Sequence, residues 1–413
     1  MNQHINLKRS VTLPMVILYG LGTIIGAGIF VLVGKVAGIA GIYTPFSFLL
    51  AAIIAGLTAL SYAELSSRFP RSAGEAIYIE ETFHLRWFSV IIGFAIAIAI
   101  IGIVSAATIT NGSVGYIQVF IDLPAWFIST LIIIILTILA AWGIKESVSV
   151  AAFTTSISII ALLMIVFINT DNLLSLPQRL PELIPPMTQE VTASIMLGAF
   201  IAFYAFIGFE DMINIAEEVE RPRYNMPKAI ALTLLITTLL YVCISLTAIL
   251  SVPVKILAAS DAPLVTLIGE SPTYVKTLIG LISIFAIADG ILVQIIKTSR
   301  ILFGMARQGM VPLFFSSVHP KTRTPIIATV TVAATILMLT ISFPLLTLAQ
   351  FTSFLTLAVF TVINFALWRL KLRPETKPST YLNLPVWVPA FAFLVSTAFM
   401  LFQLFYLLNP NLQ

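Results

Sequence analysis

Long apolar runs separated by short polar turns dominate the chain. A helix needs about 20 apolar residues to cross ~30 Å of hydrocarbon. Eleven runs meet that demand, near 14–40, 43–66, 86–118, 124–143, 147–168, 191–216, 227–251, 274–304, 325–342, 345–368 and 386–408. The pattern predicts an all-α polytopic membrane protein. Four connections are longer than the rest, at 67–85, 169–190, 252–273 and 305–324. The first contains "RFPRSAGEAIYIEETF", too polar to span, which reads either as a cytoplasmic helix after Gly74 or as a solvated loop. No low-complexity linker divides the chain, so residues 1–413 form one transmembrane domain.

Composition agrees: 59% of the 413 residues are hydrophobic, 10% are charged, and the mean hydropathy is +1.05. A soluble core of this size needs no such excess. The net charge of +4 would suit nucleic acid, but its distribution excludes that reading. With the N-terminus cytoplasmic, 18 of the 22 Lys and Arg residues fall at inner segments, leaving Lys35, Arg179, Lys255 and Lys276 for the outer half. This is the positive-inside asymmetry of a multi-pass protein of the plasma (inner) membrane. Cys243 is the only cysteine, so there is no disulfide framework. Lys8 and Arg9 precede an apolar run too long for a cleaved signal. His4, His84 and His319 lack partners at ligand spacing, and neither cofactor nor firm metal site is expected.

Spans 1–5 (11–168) and 6–10 (191–368) read as two halves. An odd number of crossings forces the second half to enter from the opposite face, giving a five-plus-five inverted repeat. Span 11 (386–408) is an addition, which places the C-terminus outside. Such repeats build their site where the first helix of each half is broken. Span 1 reads "GTIIGAGIF" and span 6 "AFIAFYAFIGFEDMINIAEE". At ~1.5 Å per residue, Gly26 lies ~18 Å from Pro14, and Glu210 and Asp289 lie ~16 Å from Arg221 and Arg300. All three reach the midplane.

The glycines lower the cost of leaving the helix. Freed amides of Ala27 and Gly28 would cradle a carboxylate, and carbonyls near Ile24 would take an ammonium. Irregular backbone at that depth survives only beside a protected cavity. The alternative is close helix packing through Gly22 and Gly26. Glu210 is costly in mid-bilayer unless it faces a polar cavity, where it would serve proton coupling; otherwise it holds the broken backbone. Asp289 is a cation or proton site, or a structural acid. Gln294 lines the same path or packs on a neighbour. Tyr204, Phe206 and Phe209 flank Gly208 and either close over a substrate or pack. "EEVERPRYNMPKAI" reads as a salt-bridged turn that restrains the half-helix. Asn111 begins a glycosylation sequon, but inside a span.

These stretches, with "SRILFGMARQGMVPLFFSSVHPKTRTP" after span 8, resemble the amino acid, polyamine and organocation (APC) superfamily across spans 1–10. The resemblance implies a leucine-transporter-like bundle with discontinuous helices 1 and 6, and amino-acid uptake or exchange. It implies substrate carboxylate at Gly26, Ala27 and Gly28, substrate amine on carbonyls near Ile24, Tyr204 and Ile207, and walls from Phe206 and Gly208. Tyr204 matches the family's gate and Glu210 its acid in helix 6. Three features depart from it. Ser158 stands where cationic-type relatives carry a lysine, which leaves room for Na+ at Gly22, Ile25, Ser158 and Asp289. Gln308 replaces an acid, and the usual twelfth span is missing.

The expected function is secondary transport of an amino acid or small amine by alternating access, as symport or antiport coupled to H+ or Na+. A transporter-like sensor is the alternative. An enzyme is not expected, because no nucleophile, base and orienter occur together.

Overall fold

The computed structural model describes residues 9–25, 28–71, 74–92, 100–142, 148–269, 271–307, 309–373 and 382–408. Among them nearly everything is helical, and the only β-type pairing is an isolated bridge between Val11 and Val219. Hydrocarbon offers the backbone no hydrogen bonds, so each crossing segment must satisfy its own, as a helix does. Eight described stretches are long and apolar enough to cross a membrane, and Leu13–Ile25 and Ile326–Ser342 are shorter apolar helices.

Span 1 comprises helices Leu13–Ile25 and Gly28–Ala40; Gly26 and Ala27 lie outside the described residues. Gly41, with φ +59°, turns the chain into span 2, Thr44–Arg68, which begins with Pro45 in its first turn. Proline suits that position, where its missing N–H would have no helical acceptor. Span 3 runs through Arg86–Ser89 and Ile101–Gln118, with 93–99 outside the described residues. Ala125–Trp142 and Val148–Ile168 are spans 4 and 5. Thr188 accepts a hydrogen bond from the Val191 amide and caps the helix Gln189–Tyr204 that opens span 6. Pro222–Ser251, Thr273–Arg307, Ile326–Ser342, Leu345–Lys371 and Trp387–Leu408 are spans 7 to 11.

The bundle's outer face is apolar: Ile134, Ile138, Phe153 and Phe285 are all exposed. In water such a surface would aggregate, whereas in a bilayer it meets lipid. Polar groups turn inward, as where Asn364 of span 10 donates to Thr58 of span 2 at 3.0 Å. Asn111 likewise donates to the Phe343 carbonyl at 2.9 Å. Near the predicted inner end, Glu64 of span 2 is fully buried. It accepts from Arg68 and, at 2.6 Å, from Lys371 of span 10, while its other oxygen takes the Leu384 amide ahead of span 11.

The polar connections carry short helices. Gly74–Phe83 occupies the 67–85 segment, burying Ala76, Tyr78, Ile79 and Thr82 and exposing Glu80. Its far end is fixed on span 10 by Phe83 stacked on Phe365 and by Arg373 donating to the Thr82 carbonyl. The turn after span 6 is held by main chain: Ser10 and Val11 amides donate to the Glu218 carbonyl, and the Glu220 amide donates to the Val11 carbonyl.

Candidate functional site

Span 6 leaves its α-helix after Tyr204. Gly208 takes φ +129°, and a tighter helix resumes over Phe209–Ile215. Leaving the helix frees peptide groups that need new partners. Glu210 Oε2 accepts from the Gly208 amide at 2.8 Å, and Thr23 of span 1 donates its hydroxyl to the Gly208 carbonyl at 2.9 Å. The two spans meet backbone to backbone. A Cβ added at Gly208 would lie 2.4 Å from the Thr23 carbonyl oxygen, and one at Gly28 would lie 2.3 Å from the Ala205 Cα. Only residues without a side chain allow both approaches.

A cavity of about 70 Å³ lies at this crossing. Spans 1 and 6 contribute Gly22, Ile24, Gly28, Tyr204, Ile207, Gly208 and Glu210 to its wall. Span 8 contributes Asp289, Gln294 and Lys297, and span 3 contributes Ser105. The Tyr204 hydroxyl is 2.9 Å from Ser105 Oγ and donates to the Ser105 carbonyl at 3.1 Å, joining spans 6 and 3 across the wall. Thr154 of span 5 donates to Asp289 Oδ2 at 3.2 Å. Thr155 faces Gly22 so closely that a Cβ there would sit 2.2 Å from its hydroxyl oxygen. Lys297 reaches both oxygens of Asp211 at 2.9 Å, linking span 8 to span 6.

Several residues singled out from sequence therefore line one cavity, while others stand outside its wall. Gly26, Ala27 and Gln308 lie outside the described residues. Phe206 is buried against Tyr241, ring centroids 5.1 Å apart, and Phe209 packs on Tyr62 and Phe360. Neither lines the cavity, nor do Ile25 and Ser158; the Ser158 hydroxyl donates to the Thr154 carbonyl one turn back. The Ile24 carbonyl already accepts the Tyr241 hydroxyl at 3.1 Å, leaving it one lone pair. No group of three His, Cys, Asp or Glu residues among the described ones is arranged to hold a metal ion.

The family model for amino acid permeases matches residues 12–413. The chain belongs to that family. The sequence is 30% identical over 433 residues to the branched-chain amino acid permease BcaP of Bacillus subtilis (strain 168), covering 98% of this chain and 88% of that protein. It is 30% identical over 399 residues to the methylthioribose transporter of the same organism, covering 91% and 84%. With the mitochondrial cationic amino acid transporter 3 of Arabidopsis thaliana it shares 28% identity over 386 residues. That match takes in 89% of this chain but only 63% of the plant protein's length.

Among the cavity residues that sequence reading missed are Glu75, Ser105, Thr155 and Lys297. Glu75 comes from the polar connection, which folds back so that Gly74 lies against Ile213 of span 6. Burial, with the Asp211 charge adding to it, pushes the Glu75 carboxyl up to about 7 against the opposing pull of Lys297.

Proposed function

We propose that this chain is a secondary transporter that carries an amino acid or related small amine by alternating access, coupled to H+ or Na+. One observation carries the reading: the interruption in span 6 meets span 1 around a single cavity that also collects Glu210 and Asp289. A zwitterion needs amide donors for its carboxylate and carbonyl acceptors for its ammonium, and helix interruptions supply both at a depth where water cannot. In this reading the carboxylate takes the amides at Gly26, Ala27 and Gly28. The ammonium takes the carbonyls of Ile24, Tyr204 and Ile207, with Tyr204 limiting access. The halves 11–168 and 191–368 rock as inverted repeats about that point, with 386–408 alongside.

The similar proteins are named as transporters or permeases for cationic and branched-chain amino acids and for methylthioribose, which favours movement of a small polar solute over sensing. Glu210 is our choice of proton carrier. A sodium ion would instead use the carbonyls of Gly22 and Ile25 with Ser158 and Asp289, and the Thr154 and Thr155 hydroxyls lie beside that position.

Uptake of labelled amino acids into proteoliposomes under imposed proton or sodium gradients is the test. We expect flux driven by one gradient. Glu210→Gln should retain expression and weaken pH-dependent uptake, whereas Asp289→Asn should abolish any sodium dependence. Absence of both uptake and exchange for every amino acid and amine tried would refute the reading.

A further inference from the structure

The helix Gly74–Phe83 lies outside the spans, yet its Glu75 is 4% exposed and lines the transport cavity. One carboxyl oxygen accepts the Tyr62 hydroxyl at 3.3 Å, and the other is buried with no hydrogen-bond partner. A buried, half-satisfied carboxylate is expensive, and the protein can relieve it with a proton or a cation. The nearest cation in the cavity wall is Lys297, held by Asp211. Glu210, Asp211 and Asp289 line the same cavity, so four carboxyls share one lysine. Tyr62 of span 2 and Tyr78 of the same helix also face Glu75. Arg369 of span 10 and Arg373 just after it are engaged at the opposite end of the helix, on Phe83 and Thr82.

We infer that Glu75 is a second proton-binding site of the transporter, distinct from Glu210, and that its ionisation competes with Asp211 for Lys297. With Glu75 neutral, the Lys297–Asp211 pair ties span 8 to the inner half of span 6. With Glu75 charged, Lys297 is shared and the tie weakens. A proton taken up at Glu75 Oε2 thus steadies one arrangement of the two spans, and its release frees them. The consequence for flux rests on the transport reading above; protonation of Glu75 does not.

Infrared spectroscopy of the full chain in lipid tests the site directly. The wild type should show a protonated-carboxyl band that fades as pH rises through neutrality. It should be absent from Glu75→Gln and retained in Glu210→Gln. Tyr62→Phe removes a donor to the charged form, so the band should persist to higher pH. In proteoliposomes, Glu75→Gln should remove the part of the pH dependence of uptake between pH 6 and pH 8 that Glu75 contributes, up to about tenfold, and leave the part due to Glu210. A band unaffected by Glu75→Gln, or an unchanged pH profile in that variant, overturns the proposal. Wild type without flux but with the band defeats the transport reading and leaves the site standing.

Discussion

Gly208 joins two demands that no other residue meets: a φ of +129° and a carbonyl oxygen 2.4 Å from where a Cβ would stand. The conformation alone costs ~1–3 kcal/mol for a residue with a side chain. The obstacle is main chain and cannot rotate away. Gly208→Ala should therefore lower the thermal unfolding midpoint in detergent and abolish substrate flux, even though it adds one methyl. Gly22 makes a milder demand, because its neighbour is a side-chain oxygen. Gly22→Ala should destabilise by ~1–3 kcal/mol through overpacking. Adding Thr155→Ala should recover part of that loss, since the Thr155 Cβ lies 3.5 Å from the new methyl. If the double variant is no more stable than Gly22→Ala alone, that contact is not what constrains Gly22.

At the scale of whole helices, the C-terminal ends of spans 2 and 10 and the approach to span 11 share one carboxylate. Glu64→Leu would leave Arg68 and Lys371 buried beside each other and free the Leu384 amide. Loss of a buried partner costs ~3–5 kcal/mol. Chemical unfolding should show a loss of that order, and a fall below ~1 kcal/mol would mean that the cluster is solvated. The helices themselves were legible from sequence, because apolar length is a coarse and strong signal. The break in span 6 was legible from Gly208 followed by Glu210, and Glu210 and Asp289 from their depth. What escaped was register within a turn and the path of polar segments. Ser158 and Thr154 stand one turn apart, ~5.4 Å along span 5, and hydropathy cannot say which faces Asp289. Glu75 was invisible for another reason: "too polar to span" says nothing about a helix that folds back to bury a carboxyl in the cavity wall. Lys297 counted only as one more inner cation, although its long stem carries the charge back to Asp211.

For the molecule as a whole, Glu75 makes stability depend on pH in an unusual direction. Its carboxyl titrates at about 7 in the folded protein against 4.5 for the ordinary side chain. Between those values the unfolded chain binds fewer protons, so stability falls as pH rises through the window and levels off above it. Thermal unfolding in detergent should give a lower midpoint at pH 8 than at pH 5, and Glu75→Gln should flatten that slope. An identical slope in the variant would place the dependence elsewhere. The short pairing between Val11 and Glu218–Glu220 acts over a longer range. It joins the segment before the first helix to the one after the sixth, which the chain order separates by some two hundred residues. Under the alternating-access reading proposed above, a swing that opens this end of the cavity carries both segments together, as one rigid body rather than two independent flaps.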